Sequence, residues 1–577
     1  MSRPYCGMIP LLTAGIMLLS SILTFPPSNV SATTLSSSTI FCEPLAAPSI
    51  NRTWGAISLL YENQYHDPMK TQEEIDRIHD LVPDLIDLEV IGQSFLGRNI
   101  TSLRITNELN PVQKAKTLVV AHHHGREQIT VEMALRFILH IVNNYGDYPD
   151  ITRWVDTQEI YVIPTLNPDA LDLVVNQKVA YSWLRKNVRA FDNDNDGLFD
   201  EDHPDDADGD GSIVGYIIWP KSNFDDYYWQ FEGIDNDGDG LVNEDEVGYV
   251  DLNRNYDANW EWAADAPPES PGYAGPEPFS ESETQALRDF AVKHRFAMAF
   301  SLHSGINRTF FPTNESDQYP YYELYQEMAS DLQRILPASY SSPLTLNYDN
   351  SAAERNQRMA ELTGIGGLWQ KWMLLSRNSI VPISFEVYGN ASCEQATATI
   401  VDNATHIIED RREFPRKFNP VEPFIDDLWQ DIRPAFDYLL RMTPRLEIDP
   451  EVISSEGNTV IVRFSIRNLS PRLGSVDLIE VLGAYKFPLG TCTALSAGLS
   501  RNDTIKIQLP ASLGAKDYII RIGNNYTGYS QIAFSKVSAT TDSAASSGFA
   551  WTILVILLLL TVIWEKMYRY SARSRSS

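Results

Sequence analysis

Between about residues 56 and 443, short unbroken apolar runs alternate with longer stretches in which apolar residues recur every three to four positions. The runs TLVVA (117–121), IYVIPT (160–165), FAMAFSL (296–302) and IVPISFEV (380–387) are short and continuously apolar, so they predict strands buried on both faces. ITVEMALRFILHIVNN carries apolar residues at helical spacing and stops at Tyr145 and Gly146, so it predicts a helix. This alternation predicts an α/β domain over 56–443 with a mixed, mostly parallel sheet flanked by helices. From 446 to 536 the pattern becomes short alternating runs, such as TVIVRFSIRN and DYIIRIGNNY, broken by Gly, Pro and Asn. That predicts a small all-β sandwich domain.

Both ends of the 577-residue chain are apolar, in different ways. A run from Met8 to Phe25 follows Arg3 and leads to the small residues Val30, Ser31 and Ala32, which predicts a signal peptide over 1–32, an uncleaved anchor being the alternative. A Ser/Thr/Pro-rich linker fills 33–55, and a Ser/Thr/Ala linker fills 537–548. Residues 549–565, whose core FAWTILVILLLLTVIW has no charge, predict a C-terminal transmembrane helix. The tail 566–577 is basic, with Lys566, Arg569, Arg573 and Arg575, so it is expected in the cytoplasm and the rest of the chain outside the cell membrane. Nine Asn-x-Ser/Thr triplets after the expected signal, at Asn51, Asn99, Asn307, Asn314, Asn390, Asn403, Asn468, Asn502 and Asn525, agree with a glycoprotein. Cys42, Cys393 and Cys492 remain after the signal, too few for a disulfide scaffold.

The net charge of −30 is concentrated in an insertion at 190–247. Residues 191–246 hold 19 acidic side chains against Lys221 alone, which excludes nucleic acid as a natural partner. Asp-x-Asp-x-Asp-Gly occurs three times, at Asp192/Asp194/Asp196, Asp206/Asp208/Asp210 and Asp235/Asp237/Asp239. Alternate carboxylates in a tight loop supply the oxygen cage of a hard cation, so the insertion is expected to bind structural Ca²⁺ and to be disordered without it, a solvated acidic loop being the alternative. The first and third motifs share a longer frame, DNDNDGLFDED and DNDGDGLVNED, and only the third has an acid, Glu246, at its twelfth position.

Candidate chemistry begins at AHHHGREQIT (121–130). His124 and Glu127 are three apart at a strand-to-helix junction, while His123 and Glu127 have the four-residue spacing of a helix face, so local spacing leaves both pairs open as metal ligands. SLHSG puts His303, and ISFEVYG puts Glu386, at the ends of other buried strands, where open α/β sheets bind ligands. WLRKN and GYVDLNRNY add Arg185 and Arg254.

HGRE, RKN, DLNRN, LHS and SFE, in this order, resemble the zinc metallocarboxypeptidases of the carboxypeptidase A/T type over about residues 56–440. The resemblance implies a catalytic Zn²⁺ held by His124, Glu127 and His303, with Glu386 as general base toward a zinc-activated water and Arg185 polarising the scissile carbonyl. It further implies that Asn253 and Arg254 clamp the substrate's terminal carboxylate, that Arg126 is a further substrate-side cation and that Asp251 accepts from the His124 ring. The family's substrate-capping Tyr has no counterpart in TGIGGLWQKWMLL, which offers Trp369 and Trp372, leaving Tyr348 or no residue for that role. Lys371 in the same stretch is expected near the substrate pocket, favouring acidic terminal residues. The expected protein is thus a membrane-anchored extracellular carboxypeptidase acting on peptide or protein C-termini. The alternatives are an amidase acting on cell-wall-type or modified peptides and a non-catalytic, calcium-stabilised adhesion or scaffold protein.

Overall fold

In a computed structural model, residues 50–535 are described, apart from internal stretches in the acidic insertion, at 111–113, 178–180, 269, 313–321, 341–364, 377, 391–396, 403–405 and 411–414, and between the C-terminal strands. In chain order the elements are α1 (Pro68–Leu81), β1 (Ile86–Gln93), β2 (Asn99–Ile105), β3 (Ala115–Ala121), α2 (Ile129–Asn144), α3 (Pro149–Thr157), β4 (Gln158–Ile163) and α4 (Pro168–Asn176). They continue with β5 (Gly215–Pro220), β6 (Tyr228–Phe231), α5 (Ser282–His294), β7 (Phe296–His303), β8 (Arg308–Phe310), α6 (Tyr322–Ile335), α7 (Trp369–Leu375), β9 (Ser379–Glu386), β10 (Thr397–Asp402), β11 (His406–Asp410), α8 (Pro415–Phe418) and α9 (Ile425–Met442).

Seven strands form one sheet in the order β1-β2-β4-β3-β7-β9-β8. The centre, β4-β3-β7-β9, is parallel, and β1, β2 and β8 join it antiparallel at the edges. The sheet is therefore mixed with a parallel core, as the unbroken apolar runs predicted. Alternate residues of β3 show why those runs are unbroken. Val119 and Ala121 pack into one core with Phe137, Ile138 and Phe436 of α2 and α9, whereas Leu118 and Val120 pack into another with Leu287, Phe290, Trp369 and Trp372 of α5 and α7. Helix α2 is buried almost all round, and its two buried charges, Glu132 and Arg136, pair with each other at 3.2 Å.

The parallel direction of β3, β7 and β9 brings their C-terminal ends to one edge of the sheet. His303 and Glu386 are direct partners across β7 and β9, and the chain leaves β3 at Ala121 straight into the histidine run.

The acidic insertion is not wholly irregular. Its acid-free stretch forms β5, which pairs antiparallel with β6 and with β11 from far along the chain, in a four-stranded sheet β10-β11-β5-β6. GYIIWP lacks charge, and backbone pairing with β11 gives it partners that the aspartates cannot.

After Met442 every described element is a strand, paired antiparallel as β12-β13-β16 (Leu446–Glu456, Thr459–Asn468, Ser500–Gln508), β14-β15 (Glu480–Leu482, Lys486–Pro488) and β17-β18 (Asp517–Asn524, Gly528–Ser535). Among the described residues no helix is long and apolar enough to cross a membrane. The expected signal peptide, the span at 549–565, the basic tail and Cys42, Cys393 and Cys492 lie outside the described residues.

Candidate metal centre

The turn after β3 sets the centre. His122 takes a left-handed backbone conformation (φ 62°), which swings the next residues off the strand line. Its ring stays in the turn, donating from Nε2 to Gly125 O (2.8 Å), so that Nδ1 accepts from Thr165 Oγ1 (3.1 Å). Burial pushes its pKa down to about 4, which keeps it neutral. Gly125 lets the turn lie against the segment before Arg185: a Cβ there would sit 2.8 Å from Leu184 O and from Ala170 Cβ. Gly125 N and Arg126 N donate to Arg185 O and Leu184 O across that contact, and so place Arg185 beside the histidines.

His124, Glu127 and His303 are all buried, and their ligand atoms lie within 4.8 Å of one another. The two oxygens of Glu127 face the two imidazoles separately, Oε1 at 2.7 Å from His124 Nδ1 and Oε2 at 3.1 Å from His303 Nδ1. Ser304 N also donates to Oε2 (3.1 Å). Both Nδ1 atoms therefore converge, and each ring's Nε2 points away to a partner of its own. His124 Nε2 donates to Asp251 Oδ1 (3.1 Å), and His303 Nε2 meets Ser301 Oγ (3.0 Å). Two neutral imidazole nitrogens and a carboxylate, each ring anchored from behind, are the donor set zinc takes, so these residues fit the ion. Burial raises the cost of charge on Glu127, but the two histidines outweigh it and hold its pKa well below the ordinary value. The structure thus decides between the histidines that spacing left open: His124 joins Glu127, and His123 lies behind them.

Asp251 caps the 3-10 turn Leu252–Arg254, accepting from Asn253 N (2.9 Å), and binds Arg185 through Nε (2.9 Å) and Nη2 (2.8 Å). Burial opposes its charge, but Arg185, Arg254 and His124 hold its pKa well below normal. Arg185 Nη1 reaches to 3.4 Å from His124 Nδ1 and 4.0 Å from Glu127 Oε1, so its guanidinium borders the ligands. Asn253 is fixed from the far side by Trp369 N, which donates to its Oδ1 (2.9 Å). Gly367, at φ 68°, allows that approach, since a Cβ there would fall 1.6 Å from Arg254 O. Arg254 donates to Asn253 O (2.9 Å) and, among the described residues, forms no ion pair. Arg126 lies with its guanidinium 4.3 Å from the Phe418 ring centre, and burial pulls its pKa down to about 10. Burial and the nearby Glu127 carboxylate push Glu386 well above the ordinary carboxylate range, with Arg185 opposing.

A sequence profile of the zinc carboxypeptidase family matches residues 71–414, well over half of the chain. The chain belongs to the zinc carboxypeptidase family. The zinc carboxypeptidase of Saccharothrix mutabilis subsp. capreolus is 33% identical over 126 residues, 21% of this chain and 28% of that protein. Carboxypeptidase A2 of Rattus norvegicus is 26% identical over 283 residues, 48% of this chain and 54% of its own. An inactive metallocarboxypeptidase of Saccharomyces cerevisiae is 29% identical over 124 residues, covering 21% of this chain and 27% of that one. The chain thus spans about half the length, or less, of these curated relatives.

Within this zinc carboxypeptidase chain, Ser301 and Tyr256 behind the metal centre escaped the sequence reading, and His123 was read there only as a candidate ligand. Ser301 lies two positions before His303 on β7, hence on the same face, a signal that period-two reasoning could have used. Tyr256 and His123 complete a chain of contacts with it. Lys371 is buried on α7 with its ammonium 4.3 Å from the Trp262 ring centre. Tyr348 lies outside the described residues.

Of the expected calcium ligands, Asp192, Asp206 and Asp235 are described, while Asp194, Asp196, Asp208, Asp210, Asp237 and Asp239 are not. Asp192 Oδ2 accepts from Gly197 N (3.1 Å), and Asp235 Oδ1 from Gly238 N (2.6 Å). The two longer frames pair through equivalent positions. Asp202 and Asp245 form an antiparallel bridge, and both are 1% exposed. Asp200 N donates to Asp245 Oδ2 (2.9 Å) while Asn243 N donates to Asp202 Oδ2 (3.1 Å), and Asp200 and Asn243 share a left-handed backbone (φ 58° and 62°). The repeat visible in the sequence is therefore a two-fold pairing in space.

Proposed function

We propose that this protein is a membrane-anchored extracellular zinc carboxypeptidase that hydrolyses the last peptide bond of peptides or proteins. The observation that carries this reading is the convergence, at one sheet edge, of the His124–Glu127–His303 donor set, the bordering Arg185 and Glu386 on the strand beside His303. Zinc held there would supply a Lewis acid and an activated water at neutral pH. Glu386, partnered with His303 across β7 and β9 at the sheet edge, serves as general base toward the water. Arg185, fixed by Asp251, stabilises charge developing on the carbonyl oxygen. Asn253 and Arg254 bind the terminal carboxylate, and Arg254's freedom from ion pairs among the described residues supports that task. Arg126 adds a further cation on the substrate side.

The paired acidic repeats bind structural Ca²⁺, the strands over 446–536 close into a small sandwich, and the segment 549–565 anchors the chain in the cell membrane. A second reading, a non-catalytic surface protein on the same fold, is favoured by one feature: no Tyr stands in the described stretch before Glu386 that carries Trp369 and Trp372.

The test is hydrolysis of a C-terminally varied peptide library by the wild type and by Glu386→Gln. Wild type should release C-terminal residues from free-acid but not amidated peptides, and the variant should keep zinc while losing about 10²–10⁴-fold in turnover. Zinc binding without release of any C-terminal residue by the wild type would favour the non-catalytic reading; cleavage of amidated and free-acid peptides alike would favour an amidase.

A further inference from the structure

Behind His303 runs a chain of buried hydrogen bonds. His303 Nε2 lies 3.0 Å from Ser301 Oγ, Ser301 Oγ lies 3.0 Å from His123 Nδ1, and His123 Nε2 lies 3.0 Å from Tyr256 OH. Ser301, His123 and Tyr256 are wholly buried and His303 is 2% exposed, so no solvent competes for these contacts. The His123 and His303 rings also stack, with centroids 5.3 Å apart, and His123 packs edge-on to Trp369 at 6.2 Å.

The proton positions follow from donor and acceptor counting. If Nδ1 of His303 is the ligand atom, as its approach to Glu127 indicates, its Nε2 carries the hydrogen and needs an acceptor. Asn253 cannot supply one: its Oδ1 is taken by Trp369 N, so its NH₂ faces His303 Nε2 at 3.4 Å. Ser301 Oγ is thus the acceptor. Its own hydrogen then points to His123 Nδ1, which as an acceptor requires the hydrogen of that ring on Nε2, where Tyr256 OH receives it. Each group's orientation depends on the next.

We infer that His123 is a positioning residue for the metal: through Ser301 it fixes the tautomer and tilt of His303, with Tyr256 holding His123 in turn. The inference rests on the zinc reading of the centre. On the other side of the site, Asp251 does the same for His124 with a full negative charge; the His303 side uses neutral groups only. A ligand histidine held by a neutral hydroxyl is the weaker donor of the two, so loss of the relay behind it should show directly in metal affinity.

Zinc affinity measured by chelator competition, together with the visible spectrum of the cobalt-substituted protein, tests this on the full chain without recourse to activity. Ser301→Ala and His123→Leu should each weaken zinc binding about 10- to 100-fold and alter the cobalt bands. His123→Asn, which can keep an acceptor near the Nδ1 position, should recover part of the affinity. The double variant Ser301→Ala/His123→Leu should lose little more than either single one, because both break the same relay. Where His123→Leu fails to fold, Ser301→Ala and the nearly isosteric Tyr256→Phe still decide. Wild-type zinc affinity and an unchanged cobalt spectrum in Ser301→Ala and His123→Leu would overturn the inference while leaving the zinc centre intact. Absence of tight zinc binding in the wild type would overturn the centre and the inference with it.

Discussion

At the scale of single residues, the centre is set by which partner each polar atom can find. Asp251 shows this most clearly, because one carboxylate accepts from His124, Arg185 and the Asn253 backbone at once. Its charge therefore orients His124, Arg185 and the Asn253 turn together. Asp251→Asn keeps the shape but removes the charge that draws Arg185 in and strengthens His124 as a donor. We predict zinc affinity lower by about 10- to 100-fold, read by chelator competition. Turnover should fall further than affinity, since the Arg185 guanidinium would no longer be held beside the ligands. Wild-type affinity in this variant would mean that His124 needs no charged partner. Of the site residues, those inside HGRE, RKN, DLNRN, LHS and SFE were legible through the resemblance that these ordered motifs carry, with HGRE, LHS and SFE also lying at the ends of apolar runs. Tyr256 and the role of His123 were not, because a tyrosine and a further histidine carry no signal until the fold pairs β3 with β7, and Ser301 was readable only through its two-residue spacing from His303.

At the scale of elements, the runs that predicted β3, β4, β7 and β9 were legible because strands buried on both faces need no alternation, and α2 because its apolar period stops at Tyr145. The β5–β11 pairing was not, since nothing local in GYIIWP names a partner almost two hundred residues later. Nor was the clamp that ties the segment before α1 to α2. His66, wholly buried, has Nδ1 at 2.9 Å from Glu132 of α2 and Nε2 at 3.7 Å from Glu74 of α1, and Arg136 and Arg77 face the far sides of those two carboxylates. Burial alone would lower the pKa of His66, but the two carboxylates outweigh it and raise it to about 9. A folded-state pKa above the unfolded value means that protonation favours the fold. The contribution is complete below about pH 6.5 and is lost as pH rises through about 9, about 3 kcal/mol in all. We therefore predict that the stability gap between wild type and His66→Leu, followed by urea unfolding, narrows by about that amount from pH 6 to pH 10. A gap that stays flat over this range would show that folding leaves the pKa of His66 unchanged, and one that widens would show that His66 is neutral in the folded protein. Helix α2 starts two residues after Glu127, so the same clamp holds the helix that follows this member of the candidate metal centre.

At the scale of the whole molecule, the dominant fact is the uneven charge. The insertion holds 18 of the 30 net negative charges, and its two ends are drawn together at the base, where Asn187 N donates to Val250 O and Val250 N to Asn187 Oδ1, both at 3.0 Å. Those ends run directly into Arg185 on one side and Asp251 on the other, so any spreading of the insertion pulls on the pair that orients His124. Like charges at this density repel each other, and monovalent salt relieves only the exposed part of the repulsion. The two-fold pairing of Asp202 with Asp245 brings two buried carboxylates to one bridge, which a divalent cation would neutralise far better than screening can. We predict that millimolar CaCl₂ raises the thermal midpoint of the full chain in detergent by several degrees, and that NaCl of equal ionic strength does not. Limited proteolysis without calcium should cut within 190–247, and calcium should suppress those cuts. EGTA, used at a concentration that leaves zinc bound, should then lower turnover through the strained Arg185–Asp251 pair while zinc content stays constant. If calcium changes neither the midpoint nor the cleavage pattern, the acidic repeats are a solvated surface and the insertion exerts no pull on the metal centre.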